Sequence, residues 1–471
     1  MSGVPAGMEA ARRAIHEAMR AGRTQLDLGG LGLTTLPADL RRFTRLRQLN
    51  LAGNRLRALP AWIGELTNLR TLQLQSNQLK TLPAELVKLT RLRWLDLGVN
   101  GMTALPAWIG RLTSLKTLYL SGNHLTELPP GFGRLTRLQT LDLTGNRLTG
   151  LPAGFGGLTS LQRLVLELEL AELPPELEQL TSLQELELSG PLTALPPGFG
   201  RLTGLQELVL SGTQLTQLPP EFGQLTSLQQ LDLSGNPQLA ALPPEFGRLT
   251  SLQWLQLLGP SPLAALPPEF GQLTSLQTLV MRDSPLSELP PGFGQLARLQ
   301  QLILSDSVQL AALPAGFGQL TNLKDLDLSD TKLTKLPPGF GQLTGLQTLD
   351  LSDTQLTELP PGFGQLTSLK DLNLSGTQLT ELPAELGQLT GLQTLDLSDT
   401  GLTALPPWIG QLTGLQQLYL GGNQLTELPP QLGQLTGLHT LDLEGNPLKE
   451  PLPGLIAEGI GALLAYLRSL A

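Results

Sequence analysis

The side chains that most often carry chemistry are few in this sequence and poorly grouped. His16, His124 and His439 are its only histidines, they lie in distant stretches, and there is no cysteine. A nucleophilic triad or a histidine-held metal needs such groups side by side, so neither is expected. No lysine follows a glycine, which removes the GxxxxGK[ST] phosphate loop, and no GxSxG elbow occurs. Triplets such as Gly362-Phe363-Gly364 lack the third glycine of GxGxxG and follow proline turns instead of a strand, so they read as structural turns. No catalytic, metal-ligating or cofactor-binding residues are expected, no cofactor, and no enzyme.

One acidic series is regular. Asp327, Asp350 and Asp396 occupy one position of a recurring pattern, with Asn373 in the gap. Neighbouring carboxylates about 5 Å apart in water repel by roughly 0.8 kcal/mol before salt screening. That cost is small, so a solvated acidic face is the first reading and the seat of a basic partner segment the second. A calcium site wants roughly six or more oxygens, which one flat face rarely supplies.

The pattern that positions these residues is the stretch Leu346–Ser368, LQTLDLSDTQLTELPPGFGQLTS, which restarts almost unchanged at Leu369 and Leu392, each 23 residues on. A fixed period in this range marks a solenoid. Leu349 and Leu351 flank Asp350 in the alternation of a strand with one buried face. With Leu346, Leu356, Leu359, Phe363 and Leu366 they should point inward. One repeat has no second layer to cover them, but stacked repeats cover each other. Pro360-Pro361 ends the strand pattern, so the return path is a turn, 3₁₀ or short helical segment.

The residues LxxLxLxxNxLxxLPxxxGxLTx resemble the leucine-rich repeat family along nearly the whole chain. The resemblance implies an α/β solenoid: a right-handed horseshoe or arc with a concave parallel β-sheet, convex 3₁₀, short-helix or turn segments, and helical caps at both ends. It also implies a concave face that binds proteins. The LPxxxGxLT return is similar to that of cytoplasmic scaffolds that bind small GTPases, and of many bacterial repeat proteins. The opening RTQLDLGGLGLTTLP and the terminal GNPLKEPLPGLIAEGIGALLAYLRSLA resemble the borders of the repeat arm in Roco GTPases. There a Roc GTPase domain follows; here the chain stops at Ala471, so that activity is not carried over.

The expected organisation is a capping helix in 1–22, about eighteen to nineteen repeats forming one solenoid in 23–448, and a second capping helix in 449–471. With strands about 4.8 Å apart the sheet would line roughly 85–90 Å. Met8, Ala11, Ile15 and Met19 should form the buried stripe of the first cap. Leu455, Ile456, Ile460, Leu463, Leu464 and Leu467 should do so in a helix over Leu455–Leu470. The repeats from Leu46 to Leu138 carry Asn54, Asn77, Asn100, Asn123 and Asn146. An inward Asn offers two donors and an acceptor to the backbone of its own and the next coil. From Leu205 onward that place is mostly taken by a hydroxyl, as at Thr213, Ser284, Ser307, Thr331, Thr354, Thr377 and Thr400, so looser packing is expected over 205–410 than over 46–160. Repeats at Leu161 and Leu183 run 22 residues, and those at Leu228, Leu252 and Leu299 run 24. Each change falls just after the strand, which reshapes one rim.

Composition bounds the partners. The absence of cysteine, a charged opening unlike a signal peptide, and the lack of any long apolar run favour a cytoplasmic chain with no membrane span. The net charge of −9 hides an asymmetry: residues 1–116 hold 17 Lys/Arg against 7 Asp/Glu, and the remainder 14 against 33. Nucleic acid is not an expected partner at this balance.

The outward positions of the strands fall into three zones: a basic one with Arg47, Arg70, Arg93, Trp94, Lys116 and Tyr119; a less polar one with Val165, Val209, Trp254, Val280 and Ile303, joined by Arg163 and Arg282; and an acidic one with Asp327, Asp350 and Asp396 at its centre. Trp, Tyr and Arg are the usual anchors of protein interfaces. Trp62, Trp108 and Trp408 recur in WIG on the return segment, where packing is their expected role. The primary expectation is a non-catalytic scaffold binding a protein partner, such as a small GTPase or another signalling protein. The rival is a ligand-sensing or regulatory arm of a Roco-like or small-GTPase system. Self-association of basic end with acidic body is a third option.

Overall fold

The inward leucines decide the fold. Leu346, Leu349, Leu351, Leu356, Leu359, Phe363 and Leu366 are all buried, and the same positions are buried in repeat after repeat. The computed structural model describes residues 6–470 and divides into two compact lobes, Met1–Leu215 and Thr216–Ala471. In the first, short strands run from Gln25–Asp27 to Glu207–Val209. Each pairs in parallel with the next, and the central leucines stay in register: Leu26 opposite Leu49, Leu49 opposite Leu72, Leu72 opposite Leu95. The second lobe repeats this from Gln230–Asp232 to Thr440–Asp442.

The return segments are 3₁₀ helices of three to five residues, such as Ala61–Glu65 and Pro338–Gln342. Proline sets their entry because its fixed φ suits the first turn and no donor is lost there. In the second lobe the rings from Phe222 to Phe363 form a column, each 6.1–6.3 Å from the next and nearly parallel. The glycine after the buried phenylalanine or isoleucine of a return segment has a steric cause. A Cβ on Gly341 would lie 2.3 Å from the carbonyl oxygen of Gly362, and one on Gly64 would lie 2.2 Å from that of Glu85. The GFG and WIG triplets are therefore the close-approach points of successive return segments.

Two side-chain devices close the turn after each strand. One is the asparagine ladder. Asn77 Nδ2 donates to Leu74 O at 3.0 Å in its own repeat and to Leu51 O at 2.9 Å in the preceding one, while its Oδ1 accepts from Leu56 N–H at 3.0 Å. Thr331, Thr354 and Thr377 occupy the same place and each donates once, to the strand leucine of its own repeat. The residue before the ladder is left-handed, as at Gly53, Asp330 and Asp353. The other device is the strand Asp or Asn, whose Oδ1 accepts the N–H two residues on, as in Asp96 to Gly98 at 2.9 Å.

Where repeats shorten, the sheet lengthens. Strands Arg163–Glu167 and Glu185–Ser189 run five residues, and Leu166 and Glu167 pair with Leu188 and Ser189 where other repeats use the ladder. In the 24-residue repeats the extra residue sits between the ladder position and the next leucine. Leu310 N–H bonds back to Ser307 O at 2.9 Å there.

The terminal helices differ from expectation in detail. Ala6–Arg20 is helical with Ala11, Ile15 and Ala18 buried, and Met8 and Met19 only half-buried. The C-terminal helix is broken in two, Leu452–Glu458 and Ile460–Ser469, by Gly459 at φ 111, a conformation that L side chains avoid. Leu463, Leu464 and Leu467 are buried, but Ile456 is exposed and Leu455 and Ile460 are half-buried, so the predicted stripe covers less than a single helix would.

Candidate functional site

The basic zone lies wholly in the first lobe. Arg47, Arg70, Arg93 and Lys116 are joined through their backbones in order: Arg70 N–H to Arg47 O at 2.7 Å, Arg93 N–H to Arg70 O at 2.8 Å, Lys116 N–H to Arg93 O at 2.8 Å. Their side chains therefore stand in a row at the entries to adjacent strands, all exposed. None of the described ion pairs includes any of the four.

A second row runs beside the first, two residues earlier in each repeat: Arg45, Asn68, Arg91, Ser114 and Arg137. Arg91 Nη1 donates to Asn68 Oδ1 at 2.7 Å, and Asn68 Nδ2 donates to Thr44 O at 2.9 Å, so Arg91 is held by a bonded chain. Between the rows is a cavity of about 350 Å³ lined by Arg70, Arg91, Arg93, Ser114, Lys116 and Arg137. The rim residues were not singled out above. Their signal in the sequence is arginine recurring at every second repeat, with a small polar residue between.

The aromatic candidates meet. Trp94 and Tyr119 have ring centroids 5.3 Å apart at 60°, an edge-on contact, and Trp94 is 37% exposed. Tyr119 stands in register between Asp96 and Asp142. Burial pushes the Asp96 carboxyl above its ordinary value, the Gly98 N–H opposes this, and the charge of Asp142 adds to it.

The middle-zone candidates are not assembled in this way. Arg163 pairs with Glu185 on the next strand, and that hydrogen bond raises its pKa, so its charge is already engaged. Trp254, in the second lobe, is half-buried with Gln230 and Thr278 at the matching places on its neighbours. Arg282 is exposed after the strand that ends at Met281.

The acidic candidates have a structural duty that sequence reading missed. Asp327 and Asp350 are in register, as are Asp350 with Asn373 and Asn373 with Asp396. Asp327 Oδ1 accepts Ser329 N–H at 3.1 Å and Ser329 Oγ–H at 2.6 Å; Asp350 does the same with Ser352, and Asp396 accepts the Ser398 N–H at 2.9 Å. Asn373 bridges the row instead of only interrupting it, donating to Asp350 Oδ2 at 3.1 Å. The signal was Asp-Leu-Ser at a fixed place. Beside them, burial and then the charges of Asp353 and Asp306 hold the turn residue Asp330 above its ordinary pKa. Among the described residues no group of His, Cys, Asp and Glu is arranged to hold a metal ion, and no helix is long and apolar enough to cross a membrane.

Stacked coils of this design, each a short strand, a side-chain-closed turn and a 3₁₀ return, define a leucine-rich solenoid in each lobe. The chain belongs to the leucine-rich repeat family: the family model for the leucine-rich repeat region matches residues 35–122, 115–193, 255–330, 317–372 and 363–446, and a two-copy repeat model matches 203–246. Among solved structures the chain is similar to a leucine-rich repeat protein of Leptospira interrogans, with 32% identity over 95% of this chain and 97% of that one and a TM-score of 0.62. It is similar to YopM from Yersinia enterocolitica, with 27% identity over 95% and 93% and a TM-score of 0.60. A plant peptide hormone receptor, RGFR1 in complex with RGF2, matches with 26% identity over 90% and 80% and a TM-score of 0.60. No curated protein matches. The repeat fold is one generally used for protein–protein interaction, because stacking presents an extended sheet surface.

Proposed function

We propose that the chain is a non-catalytic cytoplasmic scaffold that binds a protein partner on the sheet face of its first lobe. The observation that carries this reading is the exposed Trp94–Tyr119 pair beside the row Arg47, Arg70, Arg93 and Lys116. Aromatic side chains lose little conformational freedom on binding, and arginine supplies directed donors, so the two together suit the centre of an interface. Arg163, Trp254, Arg282 and the row Asp327, Asp350 and Asp396 are secondary candidates. The receptor relative, whose complex holds a peptide hormone, supports a peptide or protein as the ligand class.

The test is affinity capture from the native lysate with wild type beside a variant carrying Arg70→Glu, Arg93→Glu, Trp94→Ala and Tyr119→Ala. A partner lost only by the variant supports the reading. A partner retained by the variant and lost when Asp327, Asp350 and Asp396 are changed to Lys moves the site to the second lobe. Capture that depends on the nucleotide bound to a GTPase would favour the regulatory-arm alternative.

A further inference from the structure

We propose that the cavity between the two basic rows of the first lobe is a phosphate seat, and that the partner's docking segment carries a phosphorylated side chain. The proposal rests on the sheet-face reading above and assigns the chemistry recognised there. The seat is the cavity of about 350 Å³ whose lining consists of Arg70, Arg91, Arg93, Lys116, Arg137 and the hydroxyl residue Ser114.

Three observations point to a multiply charged oxyanion. First, the lining holds five cations and no acidic side chain, and none of the five takes part in a described ion pair. One carboxylate offers a single charge; a phosphomonoester carries nearly two and three strong acceptor oxygens, which several donors can share. Second, the rim is built. Arg91 is tied to Asn68, and Asn68 to the backbone of Thr44, so one guanidinium is oriented before any ligand arrives. A planar guanidinium also matches phosphate oxygens in pairs. Third, Ser114 stands between Arg91 and Arg137 in the rim row, where a third arginine would fill the space. Trp94 follows Arg93 directly, so a segment anchored by its phosphate passes the Trp94–Tyr119 rings within a residue or two.

The experiment is fluorescence anisotropy with the full chain and a short labelled acidic peptide carrying one phosphoserine beside a leucine, against the same peptide with serine. The expected result is at least tenfold tighter binding of the phosphopeptide. That preference should collapse in Arg91→Gln/Arg137→Gln and persist in Arg248→Gln, an exposed return-segment arginine of the second lobe, with circular dichroism unchanged in both. Inorganic pyrophosphate should compete. Equal affinity for the two peptides overturns the proposal, as does equal loss in the Arg248→Gln control. Binding to vesicles of anionic phospholipid without any preference between the peptides also overturns it. Phosphatase treatment of the lysate separates this proposal from the reading it rests on. A captured partner lost by Trp94→Ala but indifferent to phosphatase leaves the sheet-face site standing and removes the phosphate.

Discussion

The ring of Trp94 meets that of Tyr119 edge-on at 5.3 Å, across one strand boundary of a sheet whose other side is filled by leucine. Such a pair contributes about 0.5–1.5 kcal/mol beyond its buried area, and here part of the tryptophan faces solvent. Trp94→Ala should therefore lower stability by only about 1 kcal/mol, whereas Phe340→Ala, which empties a place in the buried column, should cost about 3–5 kcal/mol. Denaturant unfolding of both variants checks this. Equal losses would mean that the aromatic pair is a packing element rather than a presented surface.

The ladder sets a gradient in how firmly neighbouring repeats are tied. Asn77 joins two repeats through its bonds to Leu51 and Leu56, but Thr354 bonds only to Leu351. Leaving buried backbone groups unpaired costs roughly 1–3 kcal/mol each. Asn77→Ala is expected to cost about 3 kcal/mol and Thr354→Ala about 1 kcal/mol. Thr354→Asn would bring Leu328 O and Leu333 N–H within reach, by analogy with Asn77, and should stabilise. Hydrogen exchange should show faster opening over 205–410 than over 46–160; equal protection would contradict the gradient.

Asp96 gives a pH-dependent effect of known sign. Its folded-state pKa is raised, chiefly by burial, so the fold disfavours the charged carboxylate. That penalty is fully present above the folded pKa and disappears as pH falls below the ordinary value of 3.8. Asn keeps the acceptor for the Gly98 N–H, as Asn50 does for Ala52. Asp96→Asn should raise Tm at neutral pH, and the gain should shrink as pH falls through the range just above 3.8. A gain that does not change with pH would show that the charge is not its source.

The glycines of one GFG triplet should respond oppositely. A Cβ on Gly341 would press to 2.3 Å from backbone oxygen, whereas one on Gly339 has its nearest neighbour at 3.7 Å. Gly341→Ala is expected to destabilise by about 1–3 kcal/mol, and Gly339→Ala to be neutral or slightly stabilising. Thermal unfolding distinguishes them; equal effects would remove the close-approach argument.

The inward set and the ladder were legible because they recur at a constant spacing, and each repeat shows its own buried side in its sequence. The basic row was legible for the same reason: Arg47, Arg70, Arg93 and Lys116 hold one position. What a single repeat cannot show is how a side chain is used by the next. The turn-closing bonds of Asp327 and Asp350 looked like a free acidic surface. The engagement of Arg163 by Glu185 depends on which residue the next repeat places opposite it in register. The rim partners Arg91 and Arg137 escaped notice because they recur only at alternate repeats. At the C-terminus, Gly459 divides a stretch whose apolar spacing alone reads as one helix.

Partner binding on the sheet face of the first lobe is tested most sharply by hydrogen exchange on the full chain with the captured partner bound and removed. New protection is expected over 93–96 and 116–119, where Arg93, Trp94, Lys116 and Tyr119 stand, with the strands carrying Asp327 and Asp350 unchanged. Protection confined to those acidic strands, with the aromatic pair unaffected, would contradict it.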